Sequence, residues 1–479
     1  MNTVRRIAKN TGFLFASQII SYILGFFYIM YTARYLGAEG FGILSFALAF
    51  AGIFGIFTDV GLRILTVREV ARDKSLAEKY LGNIVVMKII LSIITIGLIG
   101  ITINLLGYPL QTIKVVYLIS LSIVFSAFSG MFYSIFQAYE KMEYQSLGQI
   151  LSSVLMLGGA LFAISEKFDV IGFASIYFAV STIILGYSFV VCAWKFVLPK
   201  IKVDLDFWKS TLKEALPFGL TGIFVTIYYW IDSIMLSLMQ GDEAVGWYNA
   251  AYRLIMVLLF IPSILNMVIF PAMSRFFITS KESLRFAYEK YFKYMAIVGI
   301  PLGLGTTLLA DRIILLIFGA EYINSVIALQ ILVWSSVFIF LNGAFARLLE
   351  ASNYQMTITK ITGICMVENV VLNLIIIPKF SYIGASATTV ITEFTALILC
   401  IIVSSNIGYN ISKNNIINAL KVVIASLVMG LLIINSEDLN SFFLILASIA
   451  LYFSVLYLLK GFSKDDVTLL MAITNKTKL

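Results

Sequence analysis

Long apolar runs alternate with short polar interruptions along almost the whole chain. Runs able to cross about 30 Å of hydrocarbon, roughly 20 residues each, recur fourteen times: 11 to 33, 41 to 62, 82 to 106, 113 to 137, 145 to 165, 169 to 194, 215 to 239, 244 to 270, 293 to 310, 323 to 346, 357 to 377, 383 to 405, 416 to 435 and 440 to 460. Inside lipid a single segment satisfies its backbone groups only as a helix. The pattern therefore predicts an all-α polytopic membrane protein with about 14 transmembrane helices. The first run carries Ser17, Gln18 and Ser21 and has no convincing small-residue cleavage site, so it reads as a retained helix rather than a secretory signal.

Composition agrees with the pattern: 60% of the 479 residues are hydrophobic and 13% charged. Charge then sets the orientation. With both termini cytoplasmic, the inner segments hold 27 of the 34 Lys and Arg, and the outer loops hold five: Arg34, Lys114, Lys167, Arg312 and Lys379. That asymmetry is a positive-inside signal for a multi-pass protein of the cytoplasmic membrane. It accounts for the net charge of +8 by membrane lipids, without nucleic acid. Cys192, Cys365 and Cys400 all fall within or at the ends of apolar runs and histidine is absent, which argues against disulfide frameworks and zinc or haem sites.

Order along the chain reveals a duplication. With an offset of 204, Gly37, Glu39 and Gly42 match Gly241, Glu243 and Gly246. "EVAR" ending at Arg72 faces "AMSR" ending at Arg275; "EKY" from Glu78 recurs at Glu289, and "YQ" from Tyr144 recurs at Tyr354. Six spans separate equivalent points, an even number, so the copies enter the bilayer in the same direction. Their pseudo-symmetry axis then lies along the membrane normal. The expected domains are an N-terminal lobe of six helices (1–194), a charged cytoplasmic linker (195–214), a C-terminal lobe of six helices (215–410), and an appended helix pair with a cytoplasmic tail (411–479).

No loop is large enough for a soluble domain; the longest polar stretches, Lys195 to Glu214 and Ser274 to Lys293, have room only for surface helices. A primary pump would need a nucleotide loop, and no G-x-x-x-x-G-K-[ST] sequence is present. A polymerase or ligase acting on membrane-bound glycans would need a long outer loop with a catalytic cluster, which is not found. A non-enzymatic secondary transporter is the reading left.

At this point the chain resembles a known family. "ARYLGAEGFGILSFALAF", "TDVGLRILTVREVAR", "LPFGL", "WIDSIML", "GWYNAAYRL" and "FGAEY" are similar to the Wzx-type polysaccharide flippases of the multidrug, oligosaccharidyl-lipid and polysaccharide exporter superfamily. The resemblance runs from Asn10 to about Ile402. It implies a MATE-like pair of six-helix lobes around a central cavity, working as a monomer beside polysaccharide polymerase or ligase machinery. It further implies movement of a polyprenyl-diphosphate-linked oligosaccharide to the outer leaflet, driven by a proton or sodium gradient with no cofactor. A cation-coupled drug exporter of the same fold is the alternative.

Ionisable residues deep in a span cost several kcal/mol on most scales and mark cavities or partners. Six stand out: Asp59, Lys88, Asp232, Arg253, Glu368 and Glu393. Asp232 lies 10 residues before Asp242 and Arg253 lies 11 after it, so the two sit at one level of adjacent helices and suit an ion pair. The pair is either a permanent bridge or a working site, with Arg253 a ligand for a diphosphate. Glu368 and Glu393 repeat the arrangement about the turn near Tyr382. They either share a proton, or hold sodium with Asn369, Asn373 and Thr392, or merely bond neighbouring hydroxyls. The resemblance implies a coupling site that joins Asp232 to this group. Asp59 and Arg63, four apart, read as a local helical pair, unless Arg63 faces the cavity mouth and meets the lipid headgroup. Lys88 is either a further headgroup ligand or a residue snorkelling to the interface.

Gln18, Ser21, Tyr22 and Tyr28, with Tyr228, Tyr229 and Trp230, are candidates for a sugar path, against packing and interfacial anchoring. Pro262, Pro301, Gly303 and Gly305 mark hinges or static kinks. Gly37 and Gly241 are expected to close the first and seventh helices in left-handed caps, with Glu39 and Glu243 over the amides of the next helices.

Overall fold

The computed structural model describes residues 3–436, 438–462 and 466, with side chains from residue 12 onward except those of Pro217, Phe218, Thr221 and Val268. Lys464, Lys476 and Lys478 of the expected tail lie outside the described residues, as do the Pro217 and Phe218 side chains of "LPFGL". Among the described residues there is no strand. The α-helices are α1 (Thr3–Gly55), α2 (Leu62–Arg72), α3 (Ala77–Leu105), α4 (Leu110–Ala138), α5 (Met142–Ser165), α6 (Val170–Lys195), α7 (Leu205–Gln240), α8 (Asp242–Leu258), α9 (Phe260–Thr279), α10 (Lys281–Leu308), α11 (Ala310–Ile317), α12 (Ser325–Ala351), α13 (Gln355–Asn406), α14 (Lys413–Ile434) and α15 (Ser441–Leu458).

Eleven helical stretches are long and apolar enough to cross a membrane, and α10 with α11, bent by 75°, makes a twelfth when taken together. Two of the eleven are pairs joined across a break, α1 at Gly37 and α13 at Ser381. The fourteen spans of the sequence pattern are compatible with this set. Pro262 leaves its mark where its ring chemistry requires. Proline clashes with the carbonyl four residues earlier, and α8 ends there, at Leu258. Pro301 is accommodated inside α10. The two polar stretches expected as surface helices differ from that reading: residues 205–214 are the first turns of α7, and α9 and α10 meet at Ser280.

The glycine turns differ in detail from the left-handed caps expected. Gly37 has φ 69° and ψ 179°, and Gly241 φ 87° and ψ 174°. Both lie in the extended, positive-φ region that is open essentially to glycine alone. Gly319 of "FGAEY" adopts the same shape, with φ 93° and ψ 179°. Asp242 and Glu243 do occupy the first turn of α8, where carboxylates suit the helix dipole.

By its contacts the chain groups into two units, one of residues 1–249 and 373–382 and another of 250–372 and 383–479. In the first, Gly42 and Gly246 carry a reciprocal contact. A Cβ at residue 42 would lie 1.7 Å from the Asp242 carbonyl oxygen, and one at residue 246 would lie 1.9 Å from that of Ala38. The 204-residue offset of the repeat converts each half of this contact into the other. Backbones meet this closely only where no side chain intervenes, as at small-residue crossings of membrane helices. In the same unit the linker docks on α3: Asn83 Oδ1 accepts from the Asp204 N–H and the Trp208 indole, each at 3.0 Å. The second unit seats α14 and α15 against α10, where the Tyr452 hydroxyl donates to the Ile297 carbonyl at 2.7 Å. Val422, Met429 and Leu444 pack beside it.

Gly42→Ala or Gly246→Ala should destabilise the protein by about 1–3 kcal/mol, the usual range for overpacking. Gly25→Ala, whose Cβ meets nothing within 4 Å, should not lower the melting temperature. Thermal unfolding in detergent checks both; equal behaviour of the three variants would contradict the crossing.

Candidate functional site

Polar residues in the apolar spans of the first unit converge on one cavity of about 620 Å³. Its walls follow from helical spacing. Ser122, Ser126, Ser129 and Tyr133 recur every three or four residues along α4, and Gln145, Gln149, Ser152 and Met156 do so along α5. Gln18 and Ser21 of α1 and Tyr177 of α6 complete the wall. Among the described residues, seven serines and three glutamines line it, with Arg63 and no carboxylate.

This lining can both give and accept hydrogen bonds. Ser129, Ser153 and Ser181 donate their protons to the carbonyls of Phe125, Gln149 and Phe178 on their own helices. Their oxygens therefore remain acceptors for a hydroxylated guest. Among the described residues, Ser21 Oγ and Tyr133 OH are buried with no hydrogen-bond partner, an arrangement that costs free energy unless water or a ligand satisfies them.

How Arg63 reaches this cavity depends on a break that corrects the expected helical pair of Asp59 and Arg63. The helix of residues 38–55 passes through a 3-10 turn, Ile56–Thr58, and stops; Val60 (φ 46°) and Gly61 (φ 86°) reverse the backbone before α2 begins at Leu62. A positive φ at a β-branched residue such as Val60 is strained, so the surroundings must hold it. They do so through charge. The Lys88 ammonium donates to Asp59 Oδ2 at 2.7 Å and to the Thr58 carbonyl at 3.3 Å, tying the end of the first helical piece. Asp59 Oδ1 in turn accepts the backbone N–H of Arg63 at 3.0 Å, capping the first turn of α2.

Lys88 is thus buried, 1% exposed, and paired with Asp59, which replaces the snorkelling reading. The same pairing gives Asp59 a partner other than the Arg63 guanidinium. Arg63 extends over Gly130 instead, where a Cβ would lie 3.8 Å from its Cδ. Among the described residues no carboxylate lies within ion-pair distance of it.

The candidates for a sugar path divide. Gln18 and Ser21 line the cavity. Tyr28 packs edge-on against Tyr177 with centroids 5.9 Å apart, and Tyr22 lies outside the lining at 38% exposure. Trp230 sets its indole beside Gly52. The serine and glutamine stripes of α4 and α5 are the residues that reading by charge and aromaticity missed. Their signal was the three- and four-residue spacing of hydroxyls and amides inside otherwise apolar runs.

The expected coupling residues form two groups. Asp232, buried at 3% exposure, accepts from the Tyr248 hydroxyl at 2.7 Å and from Asn373 Nδ2 at 2.5 Å. Beside it Asn249 donates to Ser233 Oγ at 3.0 Å. In the second unit, Glu368 Oε1 accepts from Thr395 at 2.9 Å while its Oε2 is buried without a hydrogen-bond partner. Glu393, Asn369 and Thr392 are buried on the same broken helix, and the Thr392 hydroxyl donates to the carbonyls of Thr388 and Thr389. Arg253 lies on α8, half-buried. No three His, Cys, Asp or Glu converge among the described residues. Any cation held here would take mixed carboxylate, amide and hydroxyl oxygens, a set that suits a hard cation.

Asp59→Ala would strand the Lys88 ammonium in the protein interior and should cost about 3 kcal/mol of stability, the lower end for a broken buried pair. Asp59→Asn with Lys88→Met, which removes both charges, should recover most of it. Thermal unfolding of the single and double variants decides; a double variant no more stable than Asp59→Ala would remove the pair as the tie across the break.

Comparison with known proteins follows the architecture. The family model described as "Polysaccharide biosynthesis protein" matches residues 7–277, more than half of the chain, and the MatE model matches 217–375. The chain is similar to the capsular polysaccharide biosynthesis protein CapF of Staphylococcus aureus, 26% identical over 407 residues that span 82% of this chain and 98% of the relative. It is also similar to the probable low-salt glycan biosynthesis flippase Agl15 of Haloferax volcanii, 23% identical over 388 residues and 81% of each chain. Among solved structures it superposes on the lipid II flippase MurJ in an inward closed conformation, with a TM-score of 0.77, 17% identity, and coverage of 94% of this chain and 98% of that one. With its helical fold and its match over residues 7–277, the chain belongs to the polysaccharide biosynthesis protein family, in the MATE-like fold of the multidrug, oligosaccharidyl-lipid and polysaccharide exporter superfamily.

Proposed function

We propose that this protein is a flippase for lipid-linked glycans, carrying a polyprenyl-diphosphate-linked oligosaccharide from the inner to the outer leaflet by cation-coupled alternating access of two six-helix lobes. The observation that carries the reading is the cavity. It combines many neutral hydroxyls and amides with one guanidinium and no carboxylate. Sugars need alternating donors and acceptors, and a diphosphate needs a cation with forked donors. A cationic drug would be served by carboxylates instead, so the lining speaks against the drug-exporter alternative. The names of the similar proteins, a capsular polysaccharide biosynthesis protein and a probable glycan flippase, agree with this substrate class.

In this reading Arg63 meets the diphosphate near the cavity mouth, and Arg253 serves it at another stage of the cycle. Lys88 acts indirectly, by keeping Asp59 from neutralising Arg63. Asp232, Glu368 and Glu393, with Asn369, Asn373 and Thr392, form the coupling residues for a proton or sodium ion. The reciprocal contact of Gly42 and Gly246 supports the duplication on which the two lobes rest.

Reconstitution in liposomes with a fluorescent lipid-linked oligosaccharide and an imposed ion gradient tests the proposal. Leaflet exchange should require the protein and fall about ten- to hundredfold in Arg63→Ala, the loss of a charge-assisted contact worth about 1.5–3 kcal/mol. Arg63→Lys should retain part of the rate. Wild-type protein that moves a cationic dye and leaves the glycolipid in place would overturn it. The coupling assignment makes a separate claim: Asp232→Asn, Glu368→Gln and Glu393→Gln should abolish the dependence of exchange on pH or sodium, and a dependence that survives all three would remove them from the cycle.

A further inference from the structure

Wholly within the second unit, a pocket of about 360 Å³ opens between the early turns of α10 and α14. Lys290, Lys293, Lys421 and Lys460 line it against a single carboxylate of the lining, Glu289. A concentration of ammonium groups repels itself unless an anion is present. The structure shows such an anion: Asp466, a carboxylate 2% exposed, set between two of the lysines. Its Oδ1 accepts from Lys290 Nζ at 2.5 Å and from the Tyr294 hydroxyl at 3.0 Å, and its Oδ2 accepts from Lys293 Nζ. Among the described residues, four lysines against Glu289 and Asp466 leave two positive charges in excess.

A second observation points to a ligand. Asn415 lines the same pocket, is 5% exposed, and has its Nδ2 buried with no hydrogen-bond partner among the described residues. A buried amide N–H left unmatched costs about 1–3 kcal/mol, and among the described residues none accepts from it. One group would satisfy both the surplus charge and the idle amide: a tetrahedral anion with several acceptor oxygens.

We propose that this pocket is a phosphate-binding site, taking the phosphate of an anionic phospholipid headgroup or soluble inorganic phosphate, and that Asp466 occupies the anion position in its absence. The location favours contact with headgroups, because the pocket lies at the ends of α10 and α14 nearest the lysine-rich loops. Basic pockets between membrane helices on that side have the chemistry to hold anionic headgroups. Asp466 and the phosphate then compete for Lys290 and Lys293. Transport of a glycan plays no part in this argument, so it stands or falls separately from the flippase reading.

The test uses the full chain in nanodiscs. One arm compares bilayers of phosphatidylcholine alone with bilayers containing phosphatidylglycerol and counts retained phosphatidylglycerol by native mass spectrometry. The other adds inorganic phosphate to the phosphatidylcholine nanodiscs and follows binding by calorimetry. Asp466→Ala should strengthen binding, and Lys290→Gln with Lys293→Gln should weaken it, by about fivefold per basic group, the factor expected for one lysine at an anionic surface. Lys421→Gln, at a half-buried lysine that donates to the Lys460 carbonyl rather than to Asp466, should weaken binding without disturbing the buried pair and serves if the double variant does not fold. Asp466→Asn should act in the same direction as Asp466→Ala. A response confined to the first arm identifies a lipid headgroup, and one in the second identifies soluble phosphate. No binding in either arm, or binding indifferent to Asp466→Ala and to Lys421→Gln, overturns the proposal.

Discussion

Much of the first unit depends on two glycines that let backbones touch. Gly42 admits the Asp242 carbonyl and Gly246 admits that of Ala38, each into space a methyl group would fill. In lipid the hydrophobic effect does little to hold helices together, so packing and close polar contact must do it. A Cα–H facing a carbonyl oxygen adds a weak bond to that packing. Just before each crossing, Gly37 and Gly241 take the same extended positive-φ shape, so the two strands of chain arrive in matching geometry. The repeated turn thereby meets its own counterpart in a close backbone contact.

Charge in the first unit is arranged with comparable economy. A buried ion must be matched, and matching two of three charges directs the third. Lys88 ties Asp59 and the Thr58 carbonyl, and Asp59 caps α2 through the N–H of Arg63. The guanidinium is left to face serines and glutamines across Gly130. Strain at Val60 is the conformational cost of that arrangement, held in place by the ion pair. The break, the pair and the cavity cation are consequently one structural device.

Reading the chain by hydropathy found the spans because each lipid-facing segment must be apolar along its length. Ile93, Ile101 and Leu105 of α3 still face outward at 66%, 63% and 81% exposure. Reading by charge found Asp59, Lys88 and Arg63, left Asp59 and Arg63 as a local pair unless Arg63 faced the cavity mouth, and did not connect Lys88 to Asp59. Sequence distance favoured the four-residue pair, Asp59 with Arg63, whereas the bond that forms spans 29 residues. The serine stripes went unread for a different reason. Serine inside a membrane helix usually satisfies itself on its own backbone, as Ser120 and Ser134 do, so a hydroxyl alone does not announce a cavity.

Local chemistry was enough for everything that a short stretch of chain decides alone: helical spans from unbroken apolar runs, glycine at turns needing positive φ, acids at the first turn of α8, and a repeat offset of 204 residues. Tertiary structure decided what depends on partners distant in sequence. It chose Lys88 for Asp59, Asn373 for Asp232 and Thr395 for Glu368, and it gathered Ser122, Gln149 and Ser21 around Arg63. The physical reason is the low-dielectric interior, where a polar group has a steep energy gradient toward whichever partner the packing brings near. Which partner that is depends on helix crossings, such as the one where Gly42 and Gly246 let two backbones meet.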